Sequence, residues 1–292
     1  MTKPTSTGTW KPEPGLRLGL LLFSPMLALV LLLVVTPVIE LLAVAMPDGL
    51  SMRSFTDYFA NAARTRALIV TFRDSAAVAA LAVGAGFILA WTLLVSPSRL
   101  LRGLIWLAVA LPLLMGTVVK NYALLIVLAR RGMLNNLLLD LGLIDAPMKI
   151  LYTETAVVLG ILYTLLPFAV IPIYTALLAL DLDMVRASES MGAGRFTAIR
   201  TVVLPFIWPA IVAAAMLIFV IAIGFYVVPV VLGGATSPFI ATLIQNDMVQ
   251  FFDLESAAVA ALVLIALSLV AVVLTVATVG VDQVNRTAGA GK

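Results

Sequence analysis

The chain contains no histidine and no cysteine, which leaves few reactive chemistries open to it. Ser-His-Asp catalysis, histidine–metal sites, histidine proton relays, disulfides and thiolate metal sites are excluded. Composition leaves a serine–lysine pair open, but Lys120 has no evident serine partner. The long apolar stretches hold no carboxylate pair for acid–base work. No Gly-x-x-x-x-Gly-Lys-Ser/Thr loop is present, so the chain offers no cradle for nucleotide phosphates. Of the charges in or beside the apolar stretches, three stand out. Lys120 lies beside Asn121 and Tyr122, Glu40 near the end of the first apolar run, and Glu154 at the mouth of another. Charges inside a membrane mark pathways, whereas long side chains near a span end reach for the interface. Lys120 and Glu40 are read as the second kind.

The elements that must position these groups are membrane helices. Of 292 residues, 63% are hydrophobic and 11% charged, with a mean hydropathy of +1.16. Soluble domains are nearer half apolar and a quarter charged, so soluble enzymes and nucleic-acid-binding proteins drop out. The composition implies an all-α, polytopic transmembrane bundle. Six stretches are long enough to span: Leu18 to Leu42, Ala76 to Val95, Leu104 to Leu128, Ala156 to Leu180, Phe206 to Leu232 and Ala257 to Val281. They define a membrane domain over 18–281 between a 1–17 tail and a 282–292 tail. The first run is too long for a signal-peptide core and lacks a cleavage motif.

Placing both termini in the cytoplasm puts ten of the Lys and Arg residues on that side and seven on the other, a modest positive-inside bias. The outer segments then carry short amphipathic elements. Phe55, Tyr58 and Phe59 recur at helical spacing between Pro47 and Ser75. Leu134, Leu137, Leu138 and Leu141 follow the i, i+3, i+4, i+7 pattern, with Gly142 as the stop. Phe239 to Phe252 forms a third element after the Gly233-Gly234 turn. Together they make a roof suited to docking or to an outer gate.

The cytoplasmic segment 181–205 is too long for a simple connection. Asp181 or Asp183 can cap a helix running to about Met191. Gly192 and Gly194 break it. A second short helix carries Phe196, Ile199, Val202 and Val203 toward the membrane, and Pro205 closes it. A hairpin this short is marginal alone and implies a partner.

This stretch resembles the EAA loop of ATP-binding-cassette importer permeases. The residues that carry the resemblance are Arg186-Ala187-Ser188, then Glu189, then Gly192-Ala193, then Leu204-Pro205. Gly142 to Pro147, Leu165-Leu166-Pro167-Phe168 and Pro172-Ile173-Tyr174 are similar to the spermidine/putrescine-type permeases of that class. The resemblance implies a six-span type I importer permease of the inner membrane that carries out no catalysis itself. It implies a polyamine or a related small organic solute. It also implies two ATPase subunits that use ATP and Mg, a second, non-identical permease subunit and an external solute-binding protein. The chain itself would bind no cofactor or metal. The 181–205 loop would enter a groove on the ATPase. Arg186 departs from the pattern by standing where the family has Glu, and Glu189, one turn on, is placed to supply the acid. A cationic solute would meet aromatic faces, and Tyr122, Tyr163 and Tyr226 are the candidates.

Two further features bear on mechanism. Pro167 and Pro172, in the span that feeds the loop, are candidate hinges. The second span is dense in Ala and Gly, which permits close helix packing. A stand-alone secondary transporter or channel is the competing reading. It would call for mid-depth charge, broken helices or internal repeats, and the sequence shows no charge pair or clear repeat at that depth.

Overall fold

A computed structural model describes residues 16–46, 53–234 and 238–289, and no strand occurs among them. The 1–17 tail lies outside the described residues except for its last two positions. The helices are α1 (Leu16–Ala45), α2 (Arg53–Ala60), α3 (Ala62–Val95), α4 (Arg99–Leu114), α5 (Thr117–Leu128), α6 (Met133–Asp140), α7 (Glu154–Leu178), α8 (Leu182–Ser190), α9 (Arg195–Ala198), α10 (Leu204–Ile223), α11 (Ile240–Asn246) and α12 (Leu254–Gly289). Six stretches are long and apolar enough to cross a membrane. They are Ser24–Ala45, Ala62–Val95, Thr117–Asp140, Glu154–Leu178, Arg195–Ile223 and Leu254–Leu274.

The core is built on α3, α7 and α10. Small residues on α3 make this possible: Ala79, Ala82, Gly86 and Ala90 are buried. A Cβ on Gly86 would lie 2.7 Å from the Ala169 Cβ, so only glycine allows this approach to α7. The Ile161, Leu165, Ile173 and Leu177 side chains of α7 and Ile207, Ile211 and Ile218 of α10 fill the remainder. α1 packs on α12, and most of its side chains face outward. In a bilayer that exposure requires no compensation, because lipid tails are as apolar as leucine.

Four boundaries differ from the sequence reading. The second span starts at Ala62 rather than Ala76. Arg64, Arg66, Arg73 and Asp74 argue against a helix in a hydropathy window, yet the stretch is helical and is capped by the Asn61 carboxamide, which accepts from the Ala63 N–H at 3.0 Å. Arg64 and Arg73 find acids on other elements, and Asp74 pairs with Arg73. The third span is two helices, not one, because Met115 and Gly116 leave helical geometry between α4 and α5. Pro112 deprives the last turn of α4 of a donor, which favours the break. The fifth span ends at Ile223, where Gly224 caps it, and the chain re-forms only a π-helical turn over Pro229–Gly233. Finally, Pro205 does not close the helix that precedes it. A π-helical turn, Ile199–Val203, fuses α9 to α10. In that wide turn the Leu204 N–H donates to Ile199 O, which accommodates a proline that cannot donate. α7 passes through Pro167 and Pro172 without interruption.

Candidate functional site

The loop at one end of the bundle has the expected first helix and glycine stop, while its second helix runs on into α10. The Asp181 carboxylate accepts from the Asp183 N–H at 2.9 Å and starts α8. At the other end the Met191, Gly192 and Ala193 N–H groups donate to Ala187 O, Glu189 O and Ser188 O. Gly192 sits at φ +90, a conformation that favours glycine. Ser188 faces inward and is buried, whereas Ala187 and Glu189 are exposed. Met191 is 83% exposed and Phe196 77%. Large apolar side chains held this far into water, on a rigid helix pair, mark an interaction surface. A cleft of about 360 Å3 lies behind them, lined by Trp91, Val95, Leu182, Arg186, Glu189 and Arg195, with Val185 and Ile199 completing it. Arg186 makes an i,i+3 ion pair with Asp183 at 3.2 Å. Both partners are exposed, so the pair contributes about 0.5 kcal/mol or less. Arg186 is therefore free to be drawn to another acid. Leu204 and Pro205 begin α10, which continues α9 and its π-helical turn as one unbroken helix.

The opposite end is roofed as expected, with the burial partly inverted. α6 ends on Gly142 at φ +67, where the Leu143 N–H donates to Leu138 O at 2.9 Å. The residue that anchors α6 is not a leucine but Asn135. Its carboxamide donates to Ala129 O and Met148 O and accepts from the Met148 N–H. Leu137 and Leu141 point outward. In the third roof element Phe239 and Ile240 are buried, while Phe251 and Phe252 are exposed. The Thr71 hydroxyl accepts from the Ile240 N–H at 2.9 Å and fixes that element to α3.

Arg64 ties the roof together, a role the sequence did not disclose. Its guanidinium donates to Asp253 Oδ2 at 3.2 Å and Ser256 Oγ at 2.6 Å. It also lies 3.6 Å from Asp247 Oδ2 and 5.0 Å from the centre of the Tyr58 ring. Burial pushes the Tyr58 phenol up to about 12, against the pull of Arg64. Burial likewise raises the Asp247 carboxyl, with Arg64 opposing and Asp253 reinforcing. Burial also acts upward on Asp253, but the Ser256 hydroxyl and N–H together with Arg64 outweigh it and hold that carboxyl below its ordinary value. The signs differ. Asp253 stabilises the fold above the ordinary carboxylate range, and that contribution disappears as pH falls through its lowered pKa. Asp247 favours the protonated form, so its ionisation detracts from stability as pH rises through its raised pKa. Asp253→Asn is therefore expected to lower the thermal midpoint at pH 7, and Asp247→Asn to leave it unchanged or raise it. Melting of the detergent-solubilised variants at pH 7 checks this, and equal losses in both would contradict the assignment.

The three tyrosines are dispersed. Tyr122 is exposed on α5, Tyr163 is half-buried on α7 with its hydroxyl 4.0 Å from Met115 Sδ, and Tyr226 stands in the break after α10. Among the described residues no ring pair joins them. Lys120 does not snorkel. It is 8% exposed, beside the fully buried Asn121. Tyr122, two residues after Lys120, faces outward, and α5 turns Lys120 inward with Asn121. Among the described residues no group of three or more His, Cys, Asp or Glu side chains comes together.

The described residues thus form a helical bundle with six stretches able to cross a membrane, a roof at one face and an exposed helix pair at the other. The chain belongs to the binding-protein-dependent transport system inner membrane component family, whose pattern matches residues 82–284. It is thus a multi-pass inner-membrane protein of a transport family. It is 35% identical over 146 residues to the spermidine/putrescine transport system permease protein PotB of Haemophilus influenzae, a match covering 50% of this chain and 51% of that protein. To PotB of Escherichia coli K12 it is 33% identical over 170 residues, covering 58% and 60%. To the molybdenum transport system permease protein ModB of Azotobacter vinelandii it is 31% identical over 165 residues, covering 56% and 69%. The chain thus spans 51% to 60% of the length of these PotB relatives. Its fold matches a chain of a bacterial alginate ABC transporter solved in complex with an alginate-bound periplasmic protein. That match has a TM-score of 0.71 at 20% identity and covers 89% of this chain and 92% of the other.

Proposed function

We propose that this chain is the permease subunit of an ATP-driven importer for a polyamine or a related small organic solute. The observation that carries the reading is the 181–205 helix pair, with its glycine stop at φ +90 and its exposed Met191 and Phe196. ATP would be bound and hydrolysed by two separate ATPase subunits. Closure of that pair would push the helix pair and, through the fused α9–α10 helix, tilt the bundle between its two accesses. This orientation puts the helix pair and both termini in the cytoplasm. The roof would then meet an external solute-binding protein, and a second, non-identical permease would complete the path. The PotB relatives support the solute class.

The broken third and fifth spans are also found in secondary transporters. Such a protein would have no use for an exposed cytoplasmic helix pair. Purification of the tagged protein from its native host in mild detergent tests the choice. An ATPase and a second permease in fixed ratio are expected. A chain that elutes alone and moves solute in liposomes without ATP would overturn the reading. Arg186→Glu tests the departure at the loop. The reversal is expected to reduce uptake about tenfold or more, because the ATPase groove should carry a matching acid and juxtaposed like charges cost several kcal/mol. Unchanged uptake would show that Arg186 makes no contact of consequence.

A further inference from the structure

The cleft behind the helix pair carries opposite charges that do not meet. Its apolar wall is Trp91 and Val95 from the end of α3, Leu182 and Val185 from α8, and Ile199 from the π-helical turn. The Trp91 ring is stacked on Phe87, with 6.3 Å between ring centres. Glu189 and Arg195 supply the charge. Among the described residues neither side chain makes an ion pair or a hydrogen bond. Arg186 also reaches the cleft, but Asp183 engages it at 3.2 Å.

The cleft sits where two spans end. The apolar stretch Ala62–Val95 stops at Val95, and Arg195–Ile223 begins at Arg195. One side of the cleft therefore borders hydrocarbon and the other borders water. A tryptophan at that level has the position of an interfacial anchor. A bare acyl chain would leave both charges unmatched, and a wholly polar solute would leave the apolar wall uncovered. The space, about 360 Å3, suits an amphiphile with both signs of charge in its polar part.

We propose that this cleft takes the head of a phospholipid that carries a primary amine, of the phosphatidylethanolamine type. The Arg195 guanidinium donates to the phosphate, and the lipid ammonium donates to the Glu189 carboxylate. The first carbons of the acyl chains lie along Trp91 and Val95. A glycerol head has the phosphate and no ammonium, and a choline head has a cation with no N–H to donate. A side chain of an ATPase would bring one sign of charge only, and would approach from the side of Met191 and Phe196. The lipid would fill the space between α8 and the ends of α3 and α10, and so brace the helix pair from the membrane side.

Thermal melting of the purified full chain in detergent tests this, with dioctanoyl phosphatidylethanolamine, phosphatidylglycerol and phosphatidylcholine titrated in turn. The ethanolamine lipid is expected to raise the midpoint at the lowest concentration. With a net charge of +3 the chain would favour the anionic glycerol lipid on charge alone, so the opposite order reports Glu189. In Glu189→Gln the half-saturating concentration of the ethanolamine lipid is expected to rise about fivefold or more, which removes its advantage. Glu189→Asp keeps the charge and is expected to keep the preference. Arg195→Gln is expected to weaken all three lipids, which share the phosphate. Arg102→Gln removes an exposed cation outside the cleft and is expected to change nothing. Equal half-saturation by the three lipids in the parent, or a preference that persists in Glu189→Gln, overturns the site. Glycerophosphoethanolamine is the same head without chains. If it protects as well as the dioctanoyl lipid, the ligand is a soluble one and the membrane source is overturned. If the parent shows no lipid preference and Glu189→Gln loses a co-purifying ATPase, the cleft is a protein contact and the lipid assignment falls. The readout is lipid binding, so failure of the importer reading would leave the site to be decided by these titrations alone.

Discussion

Gly192→Val is expected to reduce ATP-dependent uptake at least tenfold while the protein remains in the membrane at its usual level. The reason is conformational rather than steric. A Cβ at this position would have nothing within 4 Å, yet the backbone stands at φ +90. A β-branched residue in that region is strained by about 1–3 kcal/mol. The closing turn of α8 is held by three backbone hydrogen bonds of 3.0 to 3.2 Å, and relief of the strain breaks them first. Met191 and Phe196 flank the turn, so any rearrangement moves the exposed apolar surface that the proposed function assigns to ATPase contact. Gly194 supplies the control. It caps α9 at φ −66 with open space around its Cβ position, and Gly194→Ala is expected to transport normally. Uptake by Gly192→Val equal to the parent, measured in vesicles against the amount of inserted protein, would remove the loop from the coupling mechanism.

The loop was legible in the sequence because its signals are local. An acid before a helix, a glycine after it and a Gly-Ala to Leu-Pro interval each act within a few residues. The α6 stop at Gly142 was legible for the same reason. What the sequence hid were features settled by distant partners. Arg64 and Arg73 discourage a helix when read in a window, but Asp253 and Glu154, far along the chain, accept them and the helix extends. Asn135 is polar and would be placed at the surface by periodicity, yet two backbone carbonyls and an N–H enclose it. Lys120 was read as an interfacial charge because span depth is measured from the span's ends, and the break at Met115–Gly116 was invisible in a continuous apolar run. The tyrosines show the converse limit. Residue type alone selected them, and the fold places one outward on α5 and the other two on separate elements.

Gly86→Leu is expected to prevent stable assembly of the bundle, in contrast to Gly192→Val, which spares it. The contact here is steric. A Cβ at position 86 would stand 2.7 Å from the Ala169 Cβ and 3.2 Å and 3.3 Å from the backbone of Ala169 and Val170. Backbone atoms of a packed helix cannot step aside as a side-chain tip can, so α3 and α7 must separate. Overpacking of this kind reduces stability by about 1–3 kcal/mol in soluble cores, and a full leucine side chain adds to the displacement. The interface affected joins the two helices at the centre of the core. In lipid there is no hydrophobic drive to restore it, because separated helices bury their apolar faces in acyl chains equally well. Gly84, two residues away and exposed with nothing near its Cβ position, provides the comparison, and Gly84→Leu is expected to be tolerated. The readout is the yield of monodisperse protein after detergent extraction and its resistance to protease. A Gly86→Leu protein as stable as Gly84→Leu would mean that α3 and α7 are not held at the observed distance in the membrane. Because α7 leads directly into the 181–205 loop, an intermediate substitution such as Gly86→Ala should be less damaging to assembly but still felt in transport. Its methyl alone meets the Ala169 backbone, so the helices shift by a fraction of an ångström rather than parting, and uptake should fall by more than stability does.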